Sequence, residues 1–257
     1  MDYGKYEKGA LIAEGKTKRV FELAGEPRRV VIESKDDITA GDGARRNVIS
    51  GKGGISGRTT ANVYAFLNKH GVATHFVEAP DERTMIALRC KMIPLEVVIR
   101  RIATGSYLKR NPGVAEGQRF EPVVLEFFLK DDARHDPLIA KHEIVKEKIA
   151  NATEVAEMEN LARLVFLLLE EAWKQQDVVL VDLKIEFGRT TSGKLVLADV
   201  IDNDSWRIWP HGRKEEMLDK QVYRNDKTID AEGLERVKRN YELVADVTAK
   251  FVNAKIE

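Results

Sequence analysis

Asp182, Lys184 and Glu186 stand at alternate positions in the stretch V-V-L-V-D-L-K-I-E-F-G, residues 178–188. Such alternation marks a β-strand: Val179, Val181, Leu183, Ile185 and Phe187 take one face, and the three charged side chains take the other. Arg189 to Lys194 is polar, contains Gly193 and reads as a hairpin loop, with Leu195 to Ile201 as the returning strand. A hairpin closed symmetrically about that loop sets Glu186 near Leu197 and Lys184 near Asp199, so that Lys184, Glu186 and Asp199 share a face. Two carboxylates without a nearby His or Cys suit Mg²⁺ held together with nucleotide phosphates. The same D-x-K-x-E pattern is ordinary on a solvated antiparallel face. The run that follows, with Asp202, Asp204, Trp206, Arg207 and Trp209 ahead of Pro210, favours a binding site over a plain surface hairpin.

Basic residues supply the complementary chemistry. Lys16 and Lys18 flank Thr17 in A-L-I-A-E-G-K-T-K, residues 10–18, which satisfies a loose phosphate-loop pattern. A true phosphate loop opens a helix, whereas Lys18-Arg19-Val20-Phe21 is strand-like. The expectation is a hairpin turn whose lysines either lie over a polyphosphate or are merely exposed. Arg100, Arg101, Thr104 and Ser106 around Gly105 form a compact set of donors for phosphate or carboxylate. Ile38 to Gly57 is the most glycine-rich part of the chain and carries Arg45, Arg46 and Lys52. It reads as an anion-contacting loop or as a long mobile connection.

The elements that must position these groups are legible from periodicity. Ala10 to Leu23 reads as strand, turn, strand, and Arg29 to Ser34 as a third strand. Thr59 to His70 is helical; Val72 to Glu78, Leu95 to Gly105 and Val123 to Lys130 are strands. Pro94 is a hinge candidate, since it restricts both itself and Ile93. Leu138 to Ile149 reads as a helix. Thr153 to Lys174 is the clearest helix, with Met158, Leu161, Ala162, Val165, Leu169 and Trp173 forming a core stripe. A last helix is capped near Asp230 and packs through Tyr241, Val244 and Val247.

Composition narrows the function classes. The 257 residues hold 42 Lys+Arg and 42 Asp+Glu, so no global field draws the chain to nucleic acid or an anionic membrane. Hydrophobic content of 43% and charged content of 33% describe an ordinary globular protein. The polar N-terminus does not resemble a signal peptide, and the longest apolar run, Leu164 to Leu169, is too short to span a bilayer. The single cysteine, Cys90, fits a reducing compartment. A soluble cytoplasmic protein is expected. A homo-oligomer stays open, because exposed apolar faces cannot be told from core in sequence alone.

Six motifs, in order, resemble the SAICAR synthetase family of purine biosynthesis: E-G-K-T-K (14–18), T-A-G-D-G-A-R (39–45), I-P-L-E-V-V-I-R-R-I-A-T-G-S (93–106), K-D-D-A-R-H-D-P (130–137), V-D-L-K-I-E-F-G (181–188) and D-N-D-S-W-R-I-W (202–209). The last looks like the synthetase half of the bifunctional animal enzyme. Most bacterial members carry an acidic residue where Val200 stands here, which leaves Asp202 as the near substitute. The carboxylase half of that fusion is expected to be absent from a chain ending at Glu257.

The resemblance implies an α+β fold. A mostly antiparallel N-terminal sheet (residues 1–94) covers ATP, and a C-terminal α/β part (95–257) carries the metal and substrate sites. It also implies an ATP-dependent ligase that joins L-aspartate to a carboxylated aminoimidazole ribonucleotide. In that reading Glu186 and Asp199 hold Mg²⁺, and Lys16 and Lys18 cover the polyphosphate. Met92 to Pro94, a linker between sheets, contacts adenine, with Glu96 on the ribose hydroxyls. Arg100, Ser106 and Arg207 grip the ribonucleotide phosphate, and Lys184 steadies the reacting carboxylate. Asp42 meets the imidazole substrate or aspartate, and Lys130, Asp132, Lys220 and Arg224 are weaker candidates for the aspartate side. The competing readings are a phosphotransferase using the same ATP cleft and a non-catalytic nucleotide-binding protein.

Overall fold

The computed structural model describes residues 6–41 and 43–256. The chain opens with the expected hairpin, β1 (Lys8–Glu14) and β2 (Lys18–Leu23), followed by β3 (Arg29–Ser34). Its turn is closed by the Gly15 N–H donating to the Lys18 carbonyl at 2.9 Å. Strands therefore lie on both sides of Lys16, as β-rich residues such as Val20 and Phe21 dictate.

The glycine-rich stretch is not the loop its composition suggests. It folds into a two-stranded hairpin, β4 (Asp37–Ala40) with β5 (Arg45–Val48), and then the first turns of helix α1 (Lys52–Lys69). The glycines serve close packing: a Cβ at Gly53 would sit 2.6 Å from the Ser34 carbonyl oxygen, and one at Gly57 would collide with the Glu82 carbonyl. The helix thus starts seven residues earlier than the hydrophobic period indicates, at Lys52 rather than Thr59.

After β6 (Phe76–Glu78) and β7 (Thr84–Leu88), the first sheet is complete in the order β1-β2-β3-β7-β6, antiparallel throughout. The chain passes to a second sheet at Arg89 and enters β8 (Cys90–Ile102). Met92 to Pro94 are consequently strand residues, not a linker between sheets. Pro94 falls at an irregularity: between the pairs Gly188↔Met92 and Glu186↔Glu96, the β8 side is longer than its partner. Such a bulge accommodates a residue without an N–H.

Helix α2 (Ser106–Arg110) leads to β9 (Arg119–Leu129), β10 (Leu138–Ile139) and α3 (Lys141–Lys146). The expected 138–149 helix is therefore shorter and begins after a brief strand. Helix α4 (Ala152–Lys174) is closed by a capping box: Asn151 accepts from the Glu154 N–H and Glu154 accepts from the Asn151 N–H, each at 2.9 Å. Its stripe of Met158, Ala162, Val165, Leu169 and Trp173 is wholly buried against the sheet.

The long strand β11 (Val178–Thr190) is the spine of the second sheet, ordered β10-β9-β8-β11-β12. One edge of β11 is shared. Its later residues pair with β12 (Leu195–Ala198) and its earlier ones with β13 (Trp206–Pro210). The segment 199–205 loops out where one neighbour gives way to the other. Helix α5 (Gln221–Asn225) follows, and α6 (Ala231–Thr248), N-capped by Asp230 on the Gly233 N–H at 2.8 Å, packs along α1. Among the described residues, no helix is long and apolar enough to cross a membrane.

Candidate active site

The outlooped segment faces the β1–β2 turn and the β4–β5 hairpin across a polar cleft of about 510 Å³. Lys16, Thr17 and Lys18 come from the turn, and Thr39, Ala40, Gly41 and Gly43 border it on the same side. Glu96, Arg100, Asp182 and Lys184 rise from β8 and β11, Asp199, Val200, Asp202 and Asp204 to Arg207 form the rim, and Lys220 and Arg224 close the end.

Register decides how the carboxylates meet. Glu186 pairs with Ala198, not with Leu197 as symmetric closure predicts. A shift of one residue in a regular strand would turn Asp199 to the far face. It does not, because β12 ends at Ala198 and Asp199 adopts φ 68°, in the left-handed region. This turn brings its carboxylate back to the cleft, where it forms an ion pair with the Lys18 ammonium. Lys184 does not face Asp199 across the ladder; its ammonium reaches Glu96 at 2.9 Å and Glu186 at 3.2 Å, and its N–H donates to the Ser205 carbonyl.

Glu186 lies behind the cleft wall, 3% exposed, with one oxygen bound by Lys184 and the other by Lys130 at 2.6 Å. Burial opposes its charge, but Lys184, Lys130 and Lys18 together hold the carboxyl below the usual range. Burial likewise works against the Lys184 ammonium, yet Glu186 and Glu96 keep it well above its ordinary value. Burial draws Lys18 down to about 8, with Lys184 and Lys130 pushing the same way and Glu186 opposing. The group is thus an array of ionised acids and ammonium ions drawn from both sheets.

At the other end, Asp182 accepts from Arg100 at 3.0 Å and from Arg207, while Glu126 accepts from Arg100 at 2.7 Å and from Arg110 at 2.6 Å. Arg100, Arg110 and Arg207 are gathered here by Asp182 and Glu126, and such a cluster of guanidinium groups suits an anion. Gly105, at φ 60°, allows the Arg207 guanidinium to lie against the backbone, since a Cβ there would be 2.8 Å from Nη2. Ser106 is exposed beside it.

Beneath the rim, Lys220 donates to Asp204 at 2.7 Å, and the Tyr241 hydroxyl donates to the other Asp204 oxygen at 2.7 Å. Lys52 is not part of an anion-contacting loop. It is 1% exposed, 5.1 Å from the Tyr241 ring centre, and its charge bears on Asp202 and Asp204 from behind. Burial, with Asp204 adjacent, raises Asp202 despite Lys52.

Most of the expected residues therefore converge. Lys16, Lys18, Glu96, Arg100 and Ser106 line the cleft, as do Lys184, Asp199, Arg207, Lys220 and Arg224. Lys130 and Glu186 adjoin it as a pair, and Asp132 is linked to Lys16 at 3.3 Å. Met92 is an exposed residue of β8 outside this lining, and Asp42 lies outside the described residues. Asp182 and Asp204 were not assigned roles from the sequence. The signal for Asp182 was the alternation that places it on the face of Lys184 and Glu186.

Mg²⁺ fits the donor set. Glu186 and Asp199 offer only oxygen, both lie near Lys18, and lysine ammonium groups stand at their oxygens where positive charge is required. Among the described residues no group of three or more His, Cys, Asp or Glu is arranged to hold a metal. A two-carboxylate set suits an ion that completes its shell with phosphates and water.

The SAICAR synthetase family profile matches residues 11–241. A phosphoribosylaminoimidazole-succinocarboxamide synthase of Roseiflexus sp. (strain RS-1) is 64% identical over 245 residues, covering 95% of this chain and 98% of that one. The bifunctional carboxylase/succinocarboxamide synthetase of Mus musculus is 48% identical, covering 93% of this chain and 58% of its own length. A solved SAICAR synthetase in complex with ADP superposes with a TM-score of 0.83 at 30% identity, covering 95% of this chain and 99% of that one.

Proposed function

This chain belongs to the SAICAR synthetase family and is an ATP-dependent ligase joining L-aspartate to carboxyaminoimidazole ribonucleotide, and from that premise we propose how its cleft divides the work. A carboxylate is a poor electrophile because it lacks a leaving group. Attack of its oxygen on the γ-phosphorus of ATP releases ADP and gives an acyl phosphate. The aspartate amine then attacks the acyl carbon, phosphate departs and the amide forms as the nitrogen loses its proton.

Lys18, with Lys16 beside it, neutralises the polyphosphate from the first sheet. Arg100, Arg207 and Ser106 hold the ribonucleotide phosphate, with Asp182 fixing both guanidinium groups. Lys184 steadies the reacting carboxylate and then the oxyanion that forms on it. Glu186 and Asp199 would hold Mg²⁺, which supplies charge neutralisation on the phosphates. Lys130, Lys220, Arg224 and Asp42 serve the aspartate side, and Met92 and Glu96 the nucleoside end. Residues 1–94 act as the ATP-covering part and residues 95–257 as the platform for metal and substrate, in a cytoplasmic enzyme. Little covalent chemistry is asked of the side chains; position and charge do the work.

The observation that carries this reading is the convergence of Lys18 from one sheet with Lys184, Glu186 and Asp199 from the other. ADP release, measured with ATP, the imidazole carboxylate and L-aspartate omitted in turn, should require all three. Release at the full rate without L-aspartate would favour a phosphotransferase, and nucleotide binding without any release would favour a non-catalytic binder.

A further inference from the structure

Asp199 is a cleft carboxylate whose direction is set by an unusual backbone. At φ 68° it occupies a region that a Cβ makes unfavourable, which persists only where surrounding groups over-determine it. Two buried side chains do so. The Tyr64 hydroxyl lies 2.9 Å from the Asp199 carbonyl oxygen and 2.9 Å from that of Ala198, and His75 Nε2 lies 2.8 Å from the same Asp199 oxygen. A carbonyl oxygen only accepts, so His75 must present its Nε2–H, and the single Tyr64 proton is shared between two acceptors.

Both holders are themselves fixed. Tyr64 is 0% exposed on α1 and His75 3% exposed, their rings meeting edge-on at 5.4 Å. The His75 N–H donates to the Leu197 carbonyl at 2.8 Å, and its carbonyl accepts from Leu88 N–H at 2.7 Å. The end of β12 is thereby tied to α1 and to β7. Neither side chain lines the cleft.

We propose that Tyr64 and His75 are positioning residues that clamp the Asp199 carbonyl and so aim its carboxylate at the metal–nucleotide position. They touch no substrate and act only through the backbone of Asp199. The proposal rests on Asp199 holding the metal, and its test separates the two claims.

The probe is Mn²⁺ in the presence of ADP, followed by electron paramagnetic resonance of free Mn²⁺. Binding of ADP alone in chelator, by calorimetry, serves as the reference. Asp199→Asn, tolerated in the left-handed region, should lose Mn²⁺ affinity; unchanged affinity would overturn the metal assignment itself. With that loss in hand, Tyr64→Phe should weaken Mn²⁺ binding about tenfold and change metal-free ADP binding less than twofold. His75→Leu should do the same, and His75→Gln, which can still donate to the carbonyl, should restore most of the affinity. Tyr64→Phe removes a single oxygen and carries the test alone if His75→Leu does not fold. Unchanged Mn²⁺ binding in Tyr64→Phe, or an equal fall in metal-free ADP binding, would overturn the clamp.

Discussion

Lys18 at the start of β2 and Asp199 just past the end of β12 form an ion pair that spans the two sheets. Each stands in for the other's partner in the proposed complex. A phosphate would take the place of the Asp199 carboxylate at Lys18, and a cation would take the place of Lys18 at Asp199. Lys18→Met should therefore lower ATP affinity tenfold or more, about 1.4 kcal/mol, while leaving binding of the ribonucleotide little changed. Calorimetric titration with each substrate checks both halves; an equal loss for the two would place Lys18 in general folding instead.

Glu186→Gln keeps the shape but removes the charge shared by Lys184 and Lys130. Turnover should fall at least a hundredfold, with circular dichroism unchanged. Appreciable residual activity at saturating Mg²⁺ would remove Glu186 from the metal role.

Asp182 holds Arg100 and Arg207 through the same oxygen. Asp182→Asn should let both guanidinium groups move, raising the KM for the ribonucleotide about ten- to a hundredfold with a smaller change in kcat. Steady-state kinetics with the ribonucleotide varied decide it, and a fall confined to kcat would contradict the phosphate-gripping role.

Asp219, 2% exposed, accepts from the Ile208 and Gln221 N–H groups, and Arg207 and Asp182 bear on it from nearby. Burial nonetheless lifts its carboxyl to about 6. The folded state thus holds this proton up to a higher pH than the unfolded chain does. The stability it contributes is complete below the unfolded value near 4 and is lost as pH rises through 6, a change of about 3 kcal/mol. Urea denaturation of the native chain and of Asp219→Asn should give stabilities whose difference shifts by most of that amount, about 2 kcal/mol, against the native chain, between pH 4 and 7. A difference independent of pH would show that Asp219 ionises normally.

Amphipathic periods alone placed α4, its capping residue Asn151 aside, because a stripe of Met158, Ala162, Val165 and Leu169 has one stable orientation on a sheet. Alternation likewise set Asp182, Lys184 and Glu186 on one face of β11. Glycine content misled at Gly53 and Gly57, where the missing side chain admits a neighbouring backbone rather than giving freedom. Lys52 misled for a related reason: nothing in sequence announces that Asp202 and Asp204 would lie beside it.

Local pattern and ordered motifs thus determined the α+β class, the polar face of the central strand and the identity of the charged residues that serve it. Those properties depend on neighbours a few positions apart. The meeting of Lys18 with Asp199, the hidden place of Glu186 behind its lysines, and the sharing of Asp182 by two arginines were decided only by the tertiary structure. Strand register and the left-handed turn at Asp199 govern these, and the turn is held by distant partners, Tyr64 and His75. A one-residue slip reverses a side chain's direction at small local energetic cost, so only packing across the whole fold can select it.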